Sequence, residues 1–313
     1  MTAVPVIDAT AYLAGSPEGA AEAARQLGRA LEEVGFFFLV GHGLDWGLVE
    51  DAYEQAARLH AMADEAKERL LMDKARSGYL RLGGGTSYAS AIAGEVRKPN
   101  LNAAFFVQLD DARNQWPALE GFRERVVAFF EAVRELAHRL LPLYALALDL
   151  PADYFSPHFG EPHAVLRMSH YPVVEHEEHQ WGLAAHTDSS FMTLLAANDV
   201  PGLEIRPEGA AWTAPPALPR SFLVNSGDIL ARWTNDRFLS TAHRVLNASG
   251  RDRYAIPFFY GPADETTIAA LPTCLAPGEA PRHEPITYGD YQRWFRNRNY
   301  AAYTGEPAAA APP

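Results

Sequence analysis

The sequence predicts an α+β chain, helix-rich as far as about Leu148 and β-rich after Pro151. Three observations predict it. Apolar residues recur at helical spacing through the first half. Beyond Pro151, short β-rich segments alternate with Pro, Gly, Asn and Asp turns, the pattern of an all-β sandwich or barrel. The segment "ITYGDYQRWFRNRNY" then returns to helix before a small-residue tail.

The elements follow in order. "SPEGAAEAARQLGRALEEVG" opens with Ser16 as an N-cap and Pro17 at the first helical position. Ala20, Ala24, Leu27, Leu31 and Val34 keep a helical stripe, and Gly35 stops it. "FFFLVGHG" is a fully apolar run closed by glycines, which suits a buried strand, the one strand read in the first third. "DWGLVEDAYEQAARLHAMADEAKERLL" reads as one amphipathic helix, and "RLGGGTSYASAIAGE" as a mobile loop over a pocket. From Phe122 to about Leu148 a long helix carries Phe122, Val126, Phe129, Val133, Leu136, Leu140 and Tyr144 on one face, with a kink expected at Pro142. The β-rich segments are "AVLRMSHYPVV", "FMTLLAAND", "GLEIRP", "RSFLVNSGDILARWT", "STAHRVLNA" and "RYAIPFFYGP". Residues 1–120 read as an N-terminal region, 121–303 as the long helix with the β-rich body, and 304–313 as a disordered tail.

Composition narrows the function classes. A 313-residue chain that is 48% hydrophobic and 21% charged is an ordinary globular protein. Its net charge of −12, with no basic run, repels a phosphate backbone, so nucleic acid is not an expected partner. A single cysteine, Cys274, excludes an intramolecular disulfide and any Cys-rich zinc or iron–sulfur site. The N-terminus lacks the basic and apolar regions of a secretory signal, and no apolar stretch of about 18 residues is present to span a bilayer. A cytoplasmic location with no membrane partner is expected.

The chemistry starts at "GLAAHTDSSFMTLL", residues 182–195. If this segment enters a strand, His186 and Asp188 share a face because side chains alternate with period two. Among the other histidines His243, in "STAHRV", stands out as a third ligand, since it too sits in a strand-like apolar setting. Two imidazoles and a carboxylate on one side of a metal leave positions open, the arrangement of non-haem Fe(II) oxygenases. His176 and His179 in "HEEHQ" lie three apart in a wholly polar segment and read as a solvated loop.

"HTD" at 186–188, "NSGDILARWTNDRF" at 225–238, "HRV" at 243–245 and "RYAIPFF" at 253–259 resemble, in order and spacing, the isopenicillin N synthase-like branch of the Fe(II)/2-oxoglutarate-dependent dioxygenases. "VPVID" and "EEVGFFFLVGHG" resemble that family's N-terminal region. The resemblance implies a double-stranded β-helix (jelly-roll) core wrapped by helices, with Fe(II) held by His186, Asp188 and His243. It also implies an oxygenase that uses 2-oxoglutarate and O2 to hydroxylate, desaturate or cyclise a small molecule, releasing succinate and CO2. Arg253 matches the arginine that takes the distal carboxylate of 2-oxoglutarate, and Tyr171 a tyrosine that assists it. On its own setting in "GRDRY", Arg253 reads instead as a surface residue.

Two departures from the family pattern bear on this. The serine of the Arg-x-Ser motif is Ala255, which removes one donor to a charged group, about 1.5–3 kcal/mol of binding. Weakened 2-oxoglutarate binding is expected, unless Tyr254 or a water replaces the donor. Ser169 and His170 replace the first two residues of an Asn-Tyr-Tyr-Pro segment; Ser169 is expected to donate near the metal's oxo-acid face and His170 to point away. Arg167 shares a face with Ser169 and Tyr171. It is expected inside, meeting either an anionic or carbonyl group of the substrate or an internal carboxylate. Phe259 matches a substrate-facing position, with Phe106 and Tyr88 as further candidates. The substrate is expected to be small and to carry a carboxylate or phenolate. The alternatives are a 2-oxoglutarate-independent Fe(II) oxidase, in which Arg253 binds the substrate's carboxylate, and a catalytically silent binding module.

Overall fold

The strands form two main sheets and a separate two-stranded ribbon, Thr267–Ile268 with Ile286–Thr287, in the computed structural model, which describes residues 4–73, 77–85 and 98–299. From edge to edge the larger sheet runs Val6–Asp8, Phe36–Val40, Phe222–Ser226, Met192–Ala196, Pro257–Gly261, His163–Tyr171, Ala103–Gln108 and Gly78–Leu80. Arg253–Ala255 pairs with the end of His163–Tyr171. The smaller sheet places Ala242–Val245 between Leu183–His186 and Leu203–Arg206, antiparallel to both. Phe36, Phe38 and Leu223 of the larger sheet pack against Ile205 of the smaller one. Tyr171 and Ala255 pack likewise against Leu183 and Val245. The two sheets therefore enclose one interior, the double-stranded β-helix of a jelly roll.

Alternation explains the texture of the strands. In Phe36–Val40, Phe37 and Leu39 join the core beneath the helices, while Phe36 and Phe38 face the barrel interior. A strand buried on both faces must be apolar throughout, as "FFFLV" is. In His163–Tyr171, Ala164, Leu166 and Met168 pack under the helices. Arg167, Ser169 and Tyr171 alternate to the opposite, interior side. Burial of that helical side comes largely from the Phe122–Ala147 helix, whose Phe122, Val126, Phe129, Val133, Leu136, Leu140 and Tyr144 are all buried.

The Pro17–Glu33 helix begins as expected, with the Ser16 hydroxyl accepting from the Gly19 amide. Gly35 ends that helix region at φ +74°, where a Cβ would press on the Leu239 carbonyl and Thr241 side chain.

Several expectations are corrected. The first third holds three strands, not one: Val6–Asp8 and Gly78–Leu80 join Phe36–Val40, because short strands show too few alternations to register. The second helix is two, Trp46–His60 and Asp64–Glu68. "RSFLVNSGDILARWT" is a strand only through Ser226; Gly227 breaks it, and Asp228–Trp233 is helical. Tyr88, most of the Gly-rich segment and residues 304–313 lie outside the described residues. Among the described residues no helix is long and apolar enough to cross a membrane.

Candidate active site

His186 closes the strand Leu183–His186, and His243 is its direct partner on the strand Ala242–Val245. The strand ends at His186, so Asp188 lies two residues beyond it in irregular chain, with its carboxylate beside the histidines. Asp188 Oδ1 lies 3.8 Å from His186 Nε2 and 3.6 Å from His243 Nε2. Ligand atoms of the three residues all fall within 4.8 Å of one another, the only such grouping of metal-type side chains among the described residues.

The surrounding hydrogen bonds fix each donor. His186 Nδ1 is 2.9 Å from the Ala184 carbonyl and His243 Nδ1 3.2 Å from that of Thr241. A ring that donates Nδ1–H to a carbonyl presents a bare Nε2. Asp188 Oδ2 accepts from Thr193 Oγ1 at 2.7 Å and Asn225 Nδ2 at 2.8 Å, which leaves Oδ1 toward the histidines. Burial pushes the His186 imidazole well below its ordinary pKa, and neighbouring His243 adds to the push. Burial works to raise the Asp188 carboxyl. His243, His186 and the hydrogen bonds from Asn225 and Thr193 outweigh it, so the group titrates below the ordinary carboxylate value. A neutral imidazole beside an ionised carboxylate is the form that binds a divalent ion.

Two cavities meet at this cluster, both lined by His186, Asp188, Arg167, Leu183 and Phe259. The inner one, about 520 Å³, runs past His243 and Tyr171 to Arg253 and Ala255. Arg253 is 3% exposed, which removes its reading as a surface residue. Its Nε donates to the Val200 carbonyl at 3.1 Å and its guanidinium carbon lies 5.2 Å from the centre of the Tyr171 ring. Arg253 Nη1 is buried without a partner. A buried guanidinium with an unpaired nitrogen at the end of a cavity fits a carboxylate ligand. Ser169 stands opposite Ala255 and is also buried, its hydroxyl unpartnered. His170 turns away, stacked on Tyr254 at 4.8 Å.

The outer cavity encloses about 830 Å³ and opens over the other side of the cluster. Phe106, Phe259 and Arg167 line it together, the Arg167 guanidinium carbon 5.5 Å from the Phe106 ring centre. No carboxylate among the described residues pairs with Arg167; its Nη2 donates instead to Asn102 Oδ1 at 2.7 Å. Sequence reading missed Asn102 and the wall formed by Tyr288, Gln292, Phe295 and Asn299 of the helix Tyr288–Asn299. Gln292 Nε2 donates to the Ser189 carbonyl at 2.7 Å, and Tyr291 donates to Asp228 Oδ2 at 2.9 Å. These bonds tie the last helix to the loop that carries Asp188. The helical period was visible in the sequence; the contact that makes it a pocket wall was not. Asn225 lay inside the quoted "NSGD" segment, but nothing local marks its side chain as a partner of Asp188.

Comparison with known proteins agrees with this geometry. Residues 162–262 match the 2OG-Fe(II) oxygenase superfamily, and residues 4–119 match the N-terminal region described as non-haem dioxygenase in morphine synthesis. The chain is 32% identical to the 2-oxoglutarate-Fe(II) type oxidoreductase hxnY of Emericella nidulans, over 99% of this chain and 95% of that protein. It is 29% identical to gibberellin 3-beta-dioxygenase 1 of Arabidopsis thaliana, over 87% and 76% of the two chains. A full-length Neurospora crassa protein in complex with alpha-KG superposes with a TM-score of 0.84 at 26% identity, over 93% and 95%. The rice dioxygenase for auxin oxidation superposes with a TM-score of 0.75 at 28% identity, over 99% and 98%. These relatives favour 2-oxoglutarate use over the oxidase alternative. The chain belongs to the 2OG-Fe(II) oxygenase superfamily and is a non-haem Fe(II)/2-oxoglutarate-dependent dioxygenase that uses Fe(II), 2-oxoglutarate and O2 on a small-molecule substrate.

Proposed function

We propose that His186, Asp188 and His243 hold the iron, that Arg253 and Tyr171 anchor 2-oxoglutarate in the inner cavity with Ser169 beside it, and that Arg167 receives a carboxylate or phenolate of the substrate in the outer cavity. Iron bound there supplies the coupling of O2 reduction to decarboxylation of 2-oxoglutarate, with succinate and CO2 released and a substrate carbon oxidised. The protein's own groups do the rest. Arg253 forms a charge-assisted pair with the distal carboxylate, and Tyr171 flanks the arginine. Phe106 and Phe259 supply apolar walls that exclude water from the target carbon. Whether the outcome is hydroxylation, desaturation or cyclisation depends on which carbon these walls present.

One observation carries the substrate reading: among the described residues, Arg167 lines the outer cavity with only a neutral amide as its side-chain partner and its Nε buried without one. A guanidinium so placed is completed by an anionic oxygen. Relatives named for auxin oxidation and gibberellin oxidation also act on small organic molecules. The test is succinate formation across a panel of small organic acids with the wild type and Arg167→Ala. The reading expects at least one acid to drive succinate formation, with its KM raised on the order of a hundred-fold in the variant. Equal KM values for every turned-over acid contradict it.

A further inference from the structure

We infer that Asn102 sets the substrate's charge by holding Arg167 in place without neutralising it. This rests on the reading of Arg167 as the substrate-anion site. Asn102 lies on the segment that enters the strand Ala103–Gln108, beside the strand that carries Arg167, and both residues line the outer cavity. Its amide has two different partners, and they fix which way it faces. Nδ2 donates to the Gly182 carbonyl, so Oδ1 is left to accept from Arg167 Nη2 at 2.7 Å. The residue is 2% exposed, and an amide buried between a fixed acceptor and a fixed donor has no other orientation that satisfies both.

The neighbouring bonds hold this arrangement rigidly. Leu101 N donates to the Trp181 carbonyl at 2.8 Å, and Asn100 Oδ1 accepts from the Ala184 amide at 2.9 Å. Residues 100–102 are thereby laced to the segment that leads into the His186 strand. Arg167 is consequently fixed relative to the iron ligands, as a group that positions a substrate carbon must be.

The choice of amide over carboxylate decides what the pocket takes. Aspartate is nearly the same size and would hold the guanidinium more tightly, but it would supply the negative charge that the pocket otherwise takes from the substrate. With asparagine the cation has no carboxylate partner among the described residues, beside the Phe106 ring and with Nε unpaired there. A neutral ligand leaves a buried charge unmatched and an anionic one completes it, so Asn102 is a specificity-determining and positioning residue.

The test compares wild type, Asn102→Asp, Asn102→Ala and Arg167→Ala on matched pairs of small carboxylic acids and their primary amides. Substrate-dependent succinate formation gives kcat and KM, and thermal shift of the anaerobic Fe(II) and 2-oxoglutarate-loaded protein gives a binding readout independent of turnover. The wild type is expected to prefer acids. Asn102→Asp is expected to erase that preference by raising the KM for acids ten-fold or more, so that the KM values of each acid and its amide converge. Asn102→Ala is expected to weaken both members of each pair, since the arginine loses its support. If Arg167→Ala abolishes the acid preference and Asn102→Asp retains it, the role of Asn102 is overturned and that of Arg167 stands. If the wild type shows no acid preference, or Arg167→Ala retains it, the Arg167 reading falls and this inference falls with it.

Discussion

His186 and His243 face each other across one antiparallel strand pair, their ring centroids 4.2 Å apart. The smaller sheet thus delivers two imidazoles to the cluster by register alone, whereas the carboxylate lies beyond the strand's end and depends on bonds to the larger sheet. That asymmetry makes Asp188 the ligand most sensitive to its surroundings. Asn225→Ala removes one of the two donors that orient its Oδ2. The expected result is Fe(II) affinity lowered about ten- to a hundred-fold with little loss of fold, read by anaerobic competition with a metal chelator. Thr193→Val, which removes the other donor, is expected to behave alike.

Gly227 is packed against the backbone of Asp188 and Ser190. A Cβ at this position would press on the Ser190 carbonyl and stand 2.8 Å from the Asp188 carbonyl oxygen. Backbone atoms cannot yield as a flexible side chain can, so Gly227→Ala must displace the loop or the helix Asp228–Trp233. Destabilisation on the order of 1–3 kcal/mol is expected, as for overpacking elsewhere. Iron affinity should fall further than in a control with equal loss of stability at a distant site, with thermal melts and iron titration run side by side.

Ala255 lines the inner cavity and is opposed to Ser169 on the neighbouring strand. Ala255→Ser restores the donor that the family pattern has there. It is expected to tighten 2-oxoglutarate about ten-fold or more, the effect of one hydrogen bond to a charged group. The dissociation constant measured by anaerobic titration checks it; an unchanged value shows that the cavity already supplies the missing donor.

Much of this site was legible in the sequence. His186, Asp188 and His243 stood in segments whose apolar setting made polar residues conspicuous, and period-two alternation put Arg167 on the inward face. Asp188 lies two residues past the end of the strand Leu183–His186, in irregular chain, so the period-two argument reaches it only by extension. Asn102 and Gln292 were invisible because their meaning lies in partners far along the chain, Arg167 and Ser189, and nothing local distinguishes them from surface amides. The short strands Val6–Asp8 and Gly78–Leu80 escaped for a related reason, being defined by pairing more than by pattern.

His60 gives the fold a pH dependence away from the His186–Asp188–His243 cluster. Burial lowers its pKa from an ordinary 6.5 to about 4, with nearby His170 and Lys67 adding to the effect against the Met168 carbonyl. The folded state therefore needs His60 neutral, and the contribution is fully present above pH 6.5. As pH falls toward 4 the unfolded chain takes up a proton that the folded chain refuses, and stability drops by about 3 kcal/mol. In His60→Gln this component is absent, so the stability of the variant should decline less than that of the wild type between pH 6.5 and 4. Parallel curves in denaturant titrations across this range would refute the assignment.

The most direct test of the central claim is an anaerobic titration of the Fe(II) protein with 2-oxoglutarate, following the visible charge-transfer band in wild type and Arg253→Ala. The account predicts a saturable band in the wild type and a midpoint raised more than about a hundred-fold in the variant, with iron still bound, since loss of one partner of a buried ion pair costs about 3–5 kcal/mol. The same midpoint in both proteins, or no band in iron-loaded wild type, would contradict the placement of 2-oxoglutarate between the His186–Asp188–His243 cluster and Arg253.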